Sequence, residues 1–71
     1  MFVCFKNIII NLNNIVGFEI KNDVIGFLVH DGLFNAITFV TEEDAKNTME
    51  EIVKCYNIGK RIYTVPEERL K

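Results

Sequence analysis

The sequence predicts an α+β fold: an antiparallel β-sheet of four to five short strands with a β-meander at its core, and one amphipathic α-helix packed on one face. Three observations predict it. Apolar residues alternate with period two through three consecutive segments between residues 15 and 40. The dipeptides Asn22-Asp23 and Asp31-Gly32 fall between those segments as turns. Immediately afterwards the apolar period changes to 3.6, behind the helix opening Thr41-Glu42-Glu43-Asp44.

The elements follow in order. Phe2–Ile10 is rich in β-branched and aromatic residues and reads as a strand. Asn11-Leu12-Asn13-Asn14 is a connector, since Asn tolerates left-handed backbone and caps locally. Ile15–Lys21 and Val24–His30 are the next two strands, joined at Asn22-Asp23. Asp31-Gly32 supplies the positive φ that a type I′ turn needs, and Leu33–Val40 completes the meander. Two-residue loops fix the register. They place Val16, Phe18, Ile20, Ile25, Phe27, Val29, Phe34, Ala36 and Val40 on one face, the expected core face.

The helix begins behind Thr41, whose hydroxyl can accept from the Asp44 amide while the Asp44 carboxylate reaches back. Three acids in its first turn suit the positive end of the helix dipole. Ala45, Met49, Ile52, Val53 and Tyr56 form its expected buried stripe. Lys46 with Glu50, and Glu50 with Lys54, are spaced for i,i+4 pairs. The helix should stop near Asn57 or Gly59; with Asn57 left-handed, Ile58 would pack back on Val53. Ile62–Val65 reads as a short edge strand that Pro66 ends. Residues 66–71 are a last helical turn or a frayed tail.

The opposite face of the meander carries Ile15, Gly17, Glu19, Lys21, Val24, Gly26, Leu28, His30, Leu33, Asn35, Ile37 and Phe39. A solvated sheet face should be clearly polar, and this one is mixed. Ile15, Gly17, Val24, Gly26, Leu28, Leu33, Ile37 and Phe39 are therefore the candidate interface with a second copy or another protein. The competing structural account folds Phe2–Ile10 over this face, or places bulges at Gly17 and Gly26.

The chain as a whole bounds the function. Seventy-one residues make a single domain, residues 1–71. So short a chain buries only about 60% of its unfolded surface, and small domains commonly gain stability from disulfides, metals or a partner subunit. The net charge of −2 and pI near 5.2 argue against phosphate-directed nucleic-acid binding. The basic residues Lys54, Lys60, Arg61, Arg69 and Lys71 are interrupted by Glu67 and Glu68. Cys4 and Cys55 are too few for a disulfide framework; free thiols in a reducing cytosol are expected, with one bridge between them as the alternative. No apolar stretch has the length of a membrane span, and Lys6, Asn7 and Asn11 break the opening apolar run. A cytoplasmic location, away from membranes, is the expectation. Abundant Asn, Ile and Lys match AT-rich coding sequences, as in low-GC bacteria and their phages.

Catalytic constellations are weak. His30 is the single histidine, and adjacent strand residues point to opposite faces, so Asp31 is badly placed to orient it. Pairing His30 with Cys55 has no support in the spacing. Glu42, Glu43 and Asp44 read as capping residues rather than metal ligands. Four scattered glycines make no phosphate-cradling loop, and Phe34 and Phe39 lie on opposite faces rather than forming a base-stacking pair. No catalytic residue, cofactor, metal or small-molecule substrate is expected. The leading expectation is a small non-enzymatic protein–protein interaction module, a homo-oligomer (first of all a dimer) formed through the second sheet face or a sheet edge. One alternative is a small inhibitor or regulator, phage-encoded for example, docking on a larger protein through the acidic helix face of Glu42, Glu43, Glu50 and Glu51. Another is a weak nucleic-acid-binding regulator.

Overall fold

The computed structural model describes the backbone of residues 1–71 and every side chain except those of Leu33 and Phe34. Its elements run β1 (Phe2–Phe5), β2 (Ile8–Asn11), β3 (Gly17–Lys21), β4 (Val24–Val29), β5 (Gly32–Thr38), α1 (Glu42–Asn57) and β6 (Ile62–Thr64), with 3-10 turns at Leu12–Asn14 and Glu67–Arg69. The α+β class and the single main helix are as the sequence predicts. The single sheet of four to five strands is not: the strands form two three-stranded sheets, ordered β2-β1-β6 and β3-β4-β5.

The correction originates at Lys6. Its φ of 51° turns the chain, so Phe2–Ile10 folds into a hairpin closed by Phe5↔Ile8 rather than one long strand. Lys6-Asn7 is the polar break in that run, and Asn at a turn is ordinary chemistry. β6 then pairs parallel with β1, through Val3↔Tyr63, instead of extending the meander.

Within the meander, β3 and β4 pair in the predicted register, with Phe18 opposite Phe27 and Ile20 opposite Ile25. The second hairpin is offset by one residue. Its turn is His30-Asp31, with Gly32 following at a φ of 124°, and Val29 pairs with Gly32. An irregularity at Phe27/Leu28 absorbs one extra residue, after which Ile25 faces Ile37. A one-residue slip moves side chains to the other face. Ile37 and Phe39, expected on the second face, are therefore 1% and 0% exposed in the core, whereas Val40, expected in the core, is exposed.

The core gathers Val3, Phe5 and Ile10 from the first sheet and Ile25, Phe27, Ile37 and Phe39 from the second. Ala45 and Ile52 of α1, with Tyr63 and Val65, complete it. Each large apolar side chain so buried contributes about 1.5–3 kcal/mol. α1 lies over β4. Its buried line is Ala45, Thr48 and Ile52, while Val53 and Tyr56, expected to be buried, are 48% and 60% exposed.

The ends of α1 follow capping rules. Thr41 Oγ1 accepts from the Asp44 amide at 3.0 Å. At the other end Gly59, at a φ of 77°, is the left-handed residue. The Lys60 amide donates to the Cys55 carbonyl and the Gly59 amide to that of Tyr56, a Schellman pair. Ile58 is left largely exposed. Lys46 pairs backward with Glu42 at 3.8 Å, not forward with Glu50. Of the two expectations for the chain's last residues the helical turn holds, as the 3-10 turn Glu67–Arg69, and it is tied down rather than frayed: the Val40 amide donates to the Arg69 carbonyl, and the Lys71 amide to that of Thr38. Cys4 and Cys55 are both free and half-buried. Among the described residues, no helix is long and apolar enough to cross a membrane.

Candidate functional site

β3 is the terminal strand of the second sheet, and its residues from Phe18 to Lys21 are all exposed. The alternation Gly-Phe-Glu-Ile-Lys puts Phe18 and Ile20 on the core side and Glu19 and Lys21 on the outer side. Because α1 sits over β4, it hides Ile25 and Phe27 but leaves Phe18 and Ile20 beyond its flank. The Phe18 ring meets Phe27 edge-on, with centroids 5.3 Å apart, which ties this strip to the core. Val16 extends the strip past the start of the strand.

The facing wall belongs to α1. Val53 and Tyr56 stand across from Ile15, Val16 and Phe18, with Ile52 at the floor, around a groove of about 300 Å³. Met49 and Ile58 carry apolar surface further around the helix, on the far side of Val53. The result is an apolar strip beside a sheet edge that pairs with no further strand among the described residues. The outer face of the first sheet holds a second exposed apolar group, with Phe2, Ile9 and Ile62 on the same side.

The predicted interface set is not kept together. Gly17, Val24, Gly26 and Leu28 lie on the outer face of the second sheet, in the pairs Gly17↔Leu28, Glu19↔Gly26 and Lys21↔Val24. Val24 and Leu28 are half-buried, and Gly26 is buried. Ile15 packs against the core. Ile37 and Phe39 are core residues, so neither belongs to an open face. The side chain of Leu33 lies outside the described residues. The second face is thus less apolar than expected, and the exposed apolar surface lies instead at the flank of the core face.

The acidic set divides as well. Glu42, Glu43 and Glu50 are exposed on α1. Glu51 is engaged within the molecule: Arg69 Nη1 and Nη2 donate to its two carboxylate oxygens at 3.0 Å each, and the Tyr63 hydroxyl donates to Oε1 at 2.6 Å. Arg69 Nη1 also donates to Thr48 Oγ1 at 3.2 Å, which satisfies the one polar side chain in the α1 core line. The Arg69 hydrogen bonds, then that of Tyr63, hold the Glu51 carboxyl below its ordinary value. Burial, then the Glu51 carboxylate, pushes the Tyr63 hydroxyl well above its own. This cluster pins the C-terminal turn to α1 and is structural.

Sequence reasoning placed Val16, Phe18, Ile20, Val53 and Tyr56 in the core. A usable signal was present. Ala45, Thr48, Ile52 and Cys55 form one line on α1, and Met49, Val53 and Tyr56 form a second beside it. An apolar arc two lines wide is more than a three-stranded sheet with a central covering helix hides. Comparisons with protein-family models, with curated proteins and with solved structures found no match to this chain.

Proposed function

We propose that this chain is a small non-enzymatic protein–protein interaction module that docks by adding a partner's strand to the open β3 edge. The observation that carries this reading is the coincidence of two features at one place. An unpaired strand edge offers backbone donors and acceptors, and the apolar strip of Val16, Phe18 and Ile20 beside Val53 and Tyr56 offers burial. Strand addition uses both: main-chain hydrogen bonds provide affinity and alternate side chains provide selectivity. Soluble proteins ordinarily blunt such edges with Pro, bulges or a covering segment, because open edges pair. Here the C-terminal residues lie against β5, and none of the described residues covers β3, whose edge carries only the charges of Glu19 and Lys21.

Ile20→Pro tests the reading. Counted from the two-residue turn at Asn22-Asp23, the ladder alternation directs the Ile20 amide away from β4, toward the open edge. Proline there removes a docking donor without removing a ladder bond. Affinity purification of the tagged chain from its own cells should recover a bound protein, whether another copy or a different chain. Ile20→Pro should lose it while the circular dichroism spectrum is retained. Equal recovery by both chains, or nothing bound to either, contradicts the reading.

A further inference from the structure

We infer that the strand docked on the β3 edge is β3 of a second copy, antiparallel and centred on Ile20, so that Glu19 of each chain faces Lys21 of the other. The inference rests on the reading of β3 as a docking edge and adds the partner and the register. The same ladder alternation directs the backbone groups of Phe18 and Ile20 outward and those of Gly17, Glu19 and Lys21 toward β4. Two copies of β3 can therefore bond antiparallel only where outward residues meet outward residues. Three such registers exist.

Centring on Glu19 sets Glu19 against its own copy, and like charges directly opposite are destabilising. Centring on Phe18 sets Glu19 against Gly17 and Lys21 against Ile15, so neither charge finds an opposite. Centring on Ile20 sets Glu19 against Lys21 twice, in the closely spaced non-hydrogen-bonded pairs whose Cα atoms are about 4.5 Å apart. The charges of this one strand are complementary to themselves in one register. The first sheet's apolar area, around Ile9, Phe2 and Ile62, has no such charged residue among Phe2–Phe5, Ile8–Asn11 and Ile62–Thr64 to select a partner.

The geometry also disposes of the apolar strip. Antiparallel edge pairing relates the copies by a two-fold axis normal to the sheet, an isologous contact. Phe18 and Ile20 of both chains then lie on the same face of one six-stranded sheet, between the two α1 helices. Val53 and Tyr56 of each copy border that shared apolar valley, and both sheet edges at β3 disappear.

Molar mass measured by light scattering from micromolar to millimolar chain, with charge-swapped variants, tests the inference. The wild type should be a dimer at the upper end. Glu19→Lys alone sets like charges opposite each other twice, as does Lys21→Glu alone, and each should weaken the dimer on the order of tenfold or more. The double variant Glu19→Lys/Lys21→Glu should restore it, and so should mixing the two single variants, which then pair with each other. Folding of each chain is confirmed by circular dichroism. A wild type that stays monomeric, while affinity purification still shows an Ile20→Pro-sensitive partner, overturns the second copy and leaves the docking edge standing. A dimer indifferent to the swaps, or not restored by the double variant, overturns the register. A dimer indifferent to Ile20→Pro overturns both the inference and the edge.

Discussion

Arg69 holds Glu51 with both of its terminal nitrogens, at 3.0 Å to each carboxylate oxygen, across eighteen residues of sequence. The pair joins the last turn of the chain to the middle of α1, and the Tyr63 hydroxyl closes the third side at 2.6 Å. A two-pronged, half-buried arrangement of this kind contributes more than an isolated surface pair.

Removing it should therefore be measurable. Arg69→Gln is expected to lower unfolding free energy by about 1 kcal/mol, since the Glu51 side chain remains partly exposed and water replaces part of what is lost. Urea unfolding at neutral pH checks this. Lys46→Gln, which breaks only the exposed pair with Glu42, should change stability by less than about 0.5 kcal/mol.

The same contact sets an acid limb. Arg69, then Tyr63, lowers the Glu51 carboxyl from its ordinary 4.5, so the folded state binds that proton less tightly than the unfolded chain. The contribution is complete above about pH 4.5 and is lost as pH falls through the depressed value. Unfolding measured between neutral pH and the acid range should show this slope in the wild type and a shallower one in Glu51→Gln. Parallel slopes in the two proteins would assign the acid sensitivity elsewhere.

Legibility in the sequence followed the range of the interactions. The Thr41 cap, the Asn22-Asp23 hairpin and the β3–β4 register are local and were readable. The β4–β5 register was not, because Asp31-Gly32 names a turn without naming its position in it. The structure places Gly32 after the two central residues, which shifts the pairing by two and keeps the faces. The extra residue at the Phe27/Leu28 irregularity, with no sequence signal of its own, is the single step that exchanges Ile37 and Phe39 for Val40 in the core. The same step removes half of the evidence for an apolar second face. Glu51 and Arg69 are unremarkable charges until the C-terminal turn folds onto α1, so their engagement had no local signal. The strip at β3 was legible as apolar but not as uncovered, since the lateral position of α1 over β4 is a tertiary fact.

The rotation of α1 makes a paired prediction. Ile52→Ala, at a fully buried site, should cost about 2–5 kcal/mol, enough to unfold much of a small domain whose total stability is on the order of 5 kcal/mol. Val53→Ala, one residue on, should stay within about 0.5 kcal/mol in dilute solution. Thermal melts of the two variants check the helix orientation directly.

Two glycines should respond in opposite senses. At Gly32, a φ of 124° strains any L side chain, and Gly32→Ala should destabilise by about 1 kcal/mol or more. At Gly17 an added Cβ meets Leu28 Cδ1 at 3.9 Å, an ordinary contact, so Gly17→Ala should be neutral or stabilising by up to about 1 kcal/mol. Chemical denaturation of both variants separates a required turn conformation from a tolerated strand glycine.

The open β3 edge is the centre of this account, and hydrogen exchange at the Phe18 and Ile20 amides reads it residue by residue. Both should exchange freely in dilute chain. The Ile20 amide, which meets Ile20 of the other copy, should become protected as concentration rises; Phe18, opposite the turn residue Asn22, should gain less, and the amides of Glu19 and Lys21, already bonded to β4, should change little. Fast exchange at Ile20 across the whole concentration range would contradict pairing with a second copy, and protection already complete at the lowest concentration would contradict an open edge.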